Sequence, residues 1–254
     1  MRESGGHSEA IWQIAYTATH ARRQDLLTAL VGEIGWTVQS GPFAGMTLGA
    51  NPDGALLPKL LGCYESELHA VISDIAAASP DLVVNIGCGE GYYAVGMARL
   101  VPKAFVHAFD SNPESQDLCR QAVVSNDVTS RVSVSGQCTP ALLDAILPRG
   151  RTPVVICDCA GYEKELIDPR RVAALRSATL LIECHDFIDP TITQTLAGRL
   201  DATHDLIGIR ESARDPNAID LLQNWNSLDR WLAVCEYRPC VMHWLAARPK
   251  SAPA

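Results

Sequence analysis

The sequence predicts a doubly wound α/β fold, and three observations predict it. From residue 82 onward, short apolar runs alternate with helical patterns, the order of a parallel sheet joined by crossover helices. The first run, Val83, Val84 and Ile86, leads through Gly87, Gly89 and Gly91 into a helical pattern marked by Tyr92, Val95, Met97 and Leu100. Glycines at such a turn accept positive φ and let a ligand approach the main chain, and the free amides of the following helix face the same spot. The second run starts at Ala104 and ends in Asp110. In doubly wound sheets an acid at the tip of the second strand commonly binds ribose hydroxyls.

Residues 8–31 read as a helix through Ile11, Ile14, Leu26, Leu27 and Leu30, with Arg22 and Arg23 solvated. The Gly- and Pro-rich stretch 35–54, with apolar pieces at 36–38 and 46–48, reads as loops and a hairpin. Residues 1–61 are expected to form an extension over the ligand side of the sheet. Leu68, Val71, Ile72 and Ile75 fall at i, i+3, i+4 and i+7 and place a helix over 64–78, closed by Ser79, Pro80 and Asp81. Strands are expected near Val84, Val106, Val134, Val155, Leu181, Leu206 and His243. Asn112-Pro113, Asp168-Pro169 and Asp189-Pro190 mark helix starts, because proline suits the first helical position, where its missing N–H has no partner anyway. The main domain is expected over 62–248, with a disordered tail over 249–254.

The chain has 254 residues, room for one large or two small domains. At 47% hydrophobic and 20% charged residues it has the composition of a soluble globule with a sizeable core. A net charge of −8 argues against nucleic acid or an anionic membrane as the main partner. The N-terminus lacks the apolar core of a signal peptide, and no apolar run is long enough to span a bilayer. The nine cysteines, odd in number and without C-x-x-C spacing, read as reduced thiols of a cytosolic protein.

Two cofactor readings compete at the glycine turn. A dinucleotide site asks for G-x-G-x-x-G, whose third glycine lets helix and strand pack closely. Counted from Gly87 that place is Tyr92, which is too large; counted from Gly89 it is Ala94, which the fingerprint tolerates. The turn from Gly87 to Gly91, ahead of a strand ending in Asp110, resembles the class I S-adenosylmethionine (SAM) methyltransferases. That resemblance implies a Rossmann-like, mostly parallel seven-stranded sheet whose last strand inserts antiparallel. It also implies a glycine turn beneath the methionine part of the cofactor, and Asp110 on the ribose. Asn85 stands where the family often has Asp or Glu.

The fourth strand ends at Cys157-Asp158 and continues Cys159-Ala160-Gly161-Tyr162-Glu163. The fifth ends at Glu183 and continues Cys184-His185-Asp186-Phe187. Ligands of open α/β sheets bind outside the carboxyl ends of the strands, so Asp158, Glu183, His185 and Asp186 should crowd one crevice. Charged groups there are costly without a partner or a task; helix capping or pairing with Arg170 and Arg171 is the plainer alternative. These tips resemble the FkbM-type branch of the SAM methyltransferases, with its Asp-x-Glu-Gly-x-Glu and Glu-x-His segments, except that Ala160 replaces the first Glu of the former. Segments 40–46 and 60–68, with Tyr64-Glu65, are similar to the same branch, where the Tyr-Glu pair lies close to the cofactor's amino-acid end. The cofactor-binding set so implied is Tyr64, Glu65, Asn85, Gly87, Gly89, Gly91, Asp110, Ser111, Gln137 and Asp158, with Gln137 beside the adenine.

Methyl transfer from a sulfonium is an in-line displacement in which positioning is a large part of catalysis. An alcohol acceptor also needs a proton acceptor. His185 and Asp158 are the catalytic candidates, because an imidazole titrates near neutrality; a core histidine bonded to a backbone carbonyl is the structural alternative. Asp158, Glu183 and Asp186 could instead hold Mg²⁺, which lowers the pKa of a bound hydroxyl. Cys157, Cys159 and Cys184 beside His185 allow a soft-metal site or, more simply, small core thiols. The tryptophan-rich stretch 225–244, with Tyr237 and Arg238, reads as a cover on the substrate mouth or an aromatic hairpin packed on the core. The expected function is SAM-dependent O-methylation of a small-molecule hydroxyl, on a sugar or secondary metabolite. The expected setting is the cytoplasm, with a homodimer as the assembly and no nucleic acid or membrane as partner. An NAD-dependent dehydrogenase and a non-catalytic SAM-fold binding protein are the rivals.

Overall fold

A computed structural model describes residues 5–51, 55–147 and 153–250. Seven strands, β1 (Leu82–Ile86), β2 (Phe105–Phe109), β3 (Val132–Ser135), β4 (Val154–Cys157), β5 (Thr179–Cys184), β6 (His204–Arg210) and β7 (His243–Pro249), form one sheet in the order β3-β2-β1-β4-β5-β7-β6. β1 to β5 run parallel, and β7 inserts antiparallel between β5 and β6, the arrangement that the sequence resemblance implies. The chain reverses its direction of travel across the sheet between β1 and β4, which opens a crevice at their carboxyl ends.

Every expected strand position falls on a strand. His243, however, is the first residue of β7 and not its centre, and its buried run is Trp244 to Ala247. The ladder with β6 carries β7 on to Pro249, opposite His204, and Lys250 N donates to Thr203 O at 2.9 Å. Cross-strand pairing thus orders the first two residues of the expected tail, whose remainder, 251–254, lies outside the described residues.

The helices are α1 (Gly5–Ile34), α2 (Leu56–Leu61), α3 (His69–Ala77), α4 (Tyr92–Leu100), α5 (Pro113–Ser125), α6 (Pro140–Ile146), α7 (Glu163–Leu166), α8 (Ile192–Leu200) and α9 (Ser227–Val234). α1 outruns the expected 8–31, and the segment expected over 64–78 is α3 preceded by a short 3-10 turn, Ser66–Leu68. Asn112 caps α5 as expected, its side chain accepting from Glu114 N at 2.9 Å. Asp168-Pro169 starts no α-helix. The Asp168 carboxylate takes the backbone N–H and the guanidinium of Arg170, which closes a turn instead. α8 begins two residues beyond Pro190, with Thr191 before it held by Asp189 Oδ1 at 3.0 Å. The hairpin expected within 35–54 is present in minimal form, as one antiparallel bridge between Thr37 and Thr47. Arg22 is exposed and pairs with Asp229 at 2.7 Å, whereas Arg23 is half-buried over the Tyr237 ring, 4.5 Å from its centroid.

Alternation along β1 sends Val83 to one face of the sheet and Val84 and Ile86 to the other. On the first face Leu26, Leu30, Phe43, Met46, Leu57 and Leu60 share a core with α4 and with Trp244 of β7. The N-terminal segment is therefore joined to the sheet by common apolar packing. Phe43 lies so close on α4 that a Cβ at Gly96 would fall 2.5 Å from its ring. On the second face Leu143, Leu166, Leu175 and Leu196 pack against β4 and β5. All nine cysteines are free thiols, and no described helix is long and apolar enough to cross a membrane.

Candidate functional site

Gly87, Gly89 and Gly91 all take positive φ, at 78°, 50° and 94°. The need is strictest at Gly87, where a Cβ would lie 1.5 Å from the carbonyl oxygen of Asp158. Gly89 faces open space. The turn is pinned from behind by the tip of β2. Gly87 N and Cys88 N donate to Phe109 O at 2.8 and 2.9 Å, and Gly89 N donates to Asp110 Oδ2 at 2.9 Å. Asp110 Oδ1 accepts from Asn112 N at 2.9 Å, so one carboxylate ties the glycine turn to the start of α5.

Two cavities meet at Gly87 and Asp158. The larger, of about 360 Å³, is lined by Lys59, Tyr64, Glu90, Tyr93, Glu236 and Arg238 among others. The smaller, of about 210 Å³, is lined by Asp110, Ser111, Gln137, Cys138 and Tyr162 among others. They cross the sheet at its switch point, where a long ligand can lie with one end in each. Asp110→Ala should lower SAM affinity about tenfold to a hundredfold in calorimetry, since charge-assisted hydrogen bonds are worth roughly 1.5–3 kcal/mol. Unchanged affinity would remove Asp110 from the cofactor contacts.

Asp158 follows β4 and opens on both cavities, its side chain 41% exposed, while His185 behind it is 9% exposed. His185 Nδ1 lies 2.7 Å from Glu163 Oε1, and Nε2 lies 3.5 Å from Asp158 Oδ1. Glu163 is buried and also accepts from Gly161 N at 3.1 Å, so the loop after β4 fixes the carboxylate that orients the imidazole. The pairing assigns the proton on Nδ1 to the Glu163 bond and leaves the Nε2 lone pair towards Asp158. Burial pushes the His185 pKa down, but the bond to Glu163 and the charge of Asp158 outweigh it, and the net shift is upward. Burial likewise works against the Glu163 carboxylate, yet its bonds to His185 and the loop amides hold its pKa below the ordinary value.

A charged cluster lies beneath. Arg238 donates to Glu183 at 2.5 Å, to Glu236 at 3.2 Å and to Glu65, and its guanidinium stands over the rings of Tyr64 and Trp244. Arg214 pairs with Glu67 at 2.9 Å and with Glu236 at 2.6 Å. Two guanidiniums thus serve four buried carboxylates. Burial, with Asp158 and Glu65 nearby, pushes Glu183 up to about 10. Asp158 is raised too, by its enclosure and by Glu65.

Of the site residues expected from sequence, Tyr64, Gly87, Gly89, Asp110, Ser111, Gln137 and Asp158 line the two cavities. Glu65 points inward, its carboxylate taken by Tyr93 and Arg238. Asn85 is buried in β1, its Nδ2 near Ile156 O at 3.5 Å and its Oδ1 without a partner. Gly91 is the residue before α4, close under Cys119.

Asp186 does not join the expected metal trio, because its carboxylate caps α8 through the N–H and hydroxyl of Thr193. Among the described residues, the group whose ligand atoms come within 4.8 Å of one another is Asp158, Glu183 and His185. Arg238 holds Glu183 there, and a guanidinium is a poor neighbour for a cation. Cys157 and Cys159 bring their sulphurs to 3.5 Å, while Cys184 bonds weakly back to Ile182 O. Sequence reasoning missed Lys59 and Glu90, which form a buried ion pair on the cavity wall, and it missed Arg238 as the hub of the cluster. The signal for Lys59 was legible: it is the single charge in the apolar run Leu56–Leu61.

No protein-family model matches the chain. A stretch of 53 residues is 38% identical to the trans-aconitate 2-methyltransferase of Rhodococcus jostii (strain RHA1), and it covers 21% of this chain and 21% of that protein. The chain therefore matches about a fifth of the length of that curated relative. Among solved structures, the O-methyltransferase TomG from Streptomyces achromogenes, in complex with SAM, is 13% identical with a TM-score of 0.47. That alignment covers 80% of this chain and 82% of TomG. The precorrin 8w decarboxylase of Methanobacterium thermoautotrophicum is 18% identical with a TM-score of 0.49, over 70% of this chain and 89% of that one. At these identities the chemistry has to be argued from the residues of the site.

Proposed function

We propose that this protein is a SAM-dependent methyltransferase of the FkbM-type branch that O-methylates a small-molecule hydroxyl. The observation that carries the reading is the charge of the cavity wall beside the glycine turn, where Glu90, Glu114, Asp158 and Glu236 face Lys59 and Arg238. An acidic wall favours a sulfonium and disfavours the pyrophosphate of a dinucleotide, which decides between the two cofactor readings. SAM fits with Gln137 at the adenine, Asp110 on the ribose and Tyr64 beside the methionine, and when bound it supplies an electrophilic methyl group. Asp158, at the junction of the cavities, holds the acceptor hydroxyl in line. Its proton passes to the Asp158–His185 pair, which Glu163 keeps oriented. Mg²⁺ has no part in this scheme, because Asp186 belongs to α8 and Arg238 already faces Glu183. The acceptor is a sugar or secondary metabolite in the cytoplasm, and the assembly is a homodimer.

Thermal unfolding beside SAM, S-adenosylhomocysteine and NADH tests the cofactor. SAM and S-adenosylhomocysteine should each raise the midpoint, because a ligand that binds only the folded chain stabilises it by mass action. Stabilisation by NADH alone would replace this reading with a dehydrogenase, and no binding of either adenosyl compound at millimolar concentration would end it.

A further inference from the structure

Arg22 and Arg23 are neighbours on α1 with opposite surroundings. Arg22 is exposed and forks onto Asp229 of α9, Nε to Oδ1 at 2.8 Å and Nη2 to Oδ2 at 2.7 Å. Arg23 is half-buried, and among the described residues its guanidinium meets no carboxylate. Burial pushes its pKa down, and no acid acts against that. Arg214 and Arg238, by contrast, face four carboxylates between them. The chain holds 29 Asp and Glu against 21 Lys and Arg, so an arginine enclosed without an acid needs another source of negative charge. The face of the Tyr237 ring, 4.5 Å away, contributes about 0.5–2 kcal/mol but carries no net charge.

Tyr16, His20 and Arg23 fall at i, i+4 and i+7, on one face of α1, and Tyr237 packs against that face. Its ring stands edge-on to those of Tyr16 and His20, at 5.7 and 4.7 Å between centroids. Its φ is 54°, a left-handed conformation that a bulky residue keeps only where the surroundings impose it. Within this cluster three polar atoms are closed to solvent and have no hydrogen-bond partner: His20 Nδ1, Arg23 Nε and Tyr237 Oη. Buried polar atoms are as a rule bonded, so three together require an explanation. Arg23 and Tyr237 both donate, and His20 does so with a proton on Nδ1. The partner they lack is an acceptor, and beside an uncompensated guanidinium it is an anion.

Tyr237 also lines a third cavity, of about 680 Å³, enclosed by the segment that joins β6 to β7. Trp231, Leu232, Val234 and Val241 give this cavity an apolar lining. Its acids are already engaged: Glu236 by Arg214 and Arg238, and Glu211 by Met242 N at 3.0 Å. Glu236 and Arg238 form a wall that it shares with the larger cavity at the glycine turn.

We infer that His20, Arg23 and Tyr237 form a receptor for an oxyanion, a carboxylate or a phosphomonoester, carried by a ligand whose apolar body occupies this third cavity. Arg23 offers a planar fork to two oxygens, and small rotations of the Tyr237 and His20 rings bring their donors to the same group. Such a ligand reaches from α1 to the wall shared with the cofactor cavity, which makes it the methyl acceptor. An apolar acid that bears a hydroxyl then fits better than a neutral sugar. The acceptor role rests on the SAM reading above; the oxyanion site rests on the cluster alone.

The test measures octanoate, octyl phosphate and neutral octanamide by calorimetry on the full chain without cofactor. One of the two anions should bind about tenfold more tightly than octanamide or better, and the tighter one identifies the oxyanion as a carboxylate or a phosphomonoester. Arg23→Gln should weaken that anion about tenfold to a hundredfold and leave octanamide within about threefold. Arg23→Lys should recover part of the preference, because it keeps the charge and loses the fork. Octanamide binding as tightly as both anions needs no variant and would overturn the site. So would an Arg23→Gln chain that keeps the anion's affinity, or displacement of the anion by S-adenosylhomocysteine, which would place it in the cofactor cavities. Stabilisation by S-adenosylhomocysteine with neither anion bound at millimolar concentration would overturn the site and leave the cofactor reading standing. Anion binding by a chain that binds no adenosyl compound would uphold the site and overturn its acceptor role.

Discussion

Arg238→Ala is expected to cost about 3–5 kcal/mol of folding stability, the range for removing one partner from a buried charged pair. For a chain of this size each kcal/mol moves the midpoint by about 2–4 °C, so thermal unfolding followed by circular dichroism should shift down by about 6–20 °C. The size follows from the surroundings. Arg238 is 15% exposed and faces Glu65, Glu183 and Glu236, each about 3% exposed or less. Among the described residues, loss of the guanidinium leaves Glu65 without a cationic partner and Glu236 with Arg214 alone, while Glu183, whose pKa is raised to about 10 so that it holds a proton at neutral pH, loses a hydrogen-bond donor. Arg238→Lys should rescue little, because an ammonium is a point charge and cannot fork to three acceptors that a planar guanidinium reaches at once. A loss below about 1 kcal/mol in Arg238→Ala would show that Glu65 and Glu236 do not depend on this cation.

The same cluster sets a pH dependence, with a definite sign. Glu183 is raised from 4.5 to about 10, so between those values the folded chain holds a proton that the unfolded chain releases. Its contribution to stability is complete below pH 4.5 and declines as pH rises towards 10. Asp168 and Asp189 act oppositely: their carboxylates are held low by Arg170 and Lys164, and their contribution is lost in acid. Stability should therefore be greatest near the acidic side of neutrality, with Glu183 responsible for the alkaline fall.

The sheet was legible because each strand repeats a local signal: apolar runs bounded by Gly, Pro or an acid. The glycine turn and Asp110 were legible for the same reason, since backbone demand and residue type coincide at Gly87. What sequence could not assemble were contacts between distant segments. Arg238 meets Glu65 and Glu183 across separations of 173 and 55 residues, and no local pattern records that. Asp186 misled because an acid at a strand tip serves equally as ligand or helix cap, and the choice was made by Thr193 further along the chain. Asp168 misled in the same way: an acid before proline reads as a cap, but Arg170 two residues on captured it. Glu163 was visible within the motif, and its task appeared only when β5 brought His185 beside it.

His185→Ala is expected to leave S-adenosylhomocysteine affinity nearly unchanged and to cut methyl transfer about a hundredfold or more, the scale of general-base assistance. Neither cavity touches the imidazole, which sits behind Asp158, so the cofactor should not register its loss. The acceptor proton should register it. Without the Nε2 lone pair, Asp158 loses the basic neighbour that relays the proton and has only the open cavities to release it to. The pH profile separates this role from a packing role. Only the neutral imidazole accepts a proton, and its pKa lies above 6.5, so the rate should rise with pH through a value above 6.5. Glu163→Gln removes the charge that raises the imidazole, so it should move this limb towards lower pH while the rate falls less than in His185→Ala. Should His185→Ala keep the full rate and the same limb once an acceptor is in hand, the histidine is a core residue and Asp158 must release the proton directly to solvent.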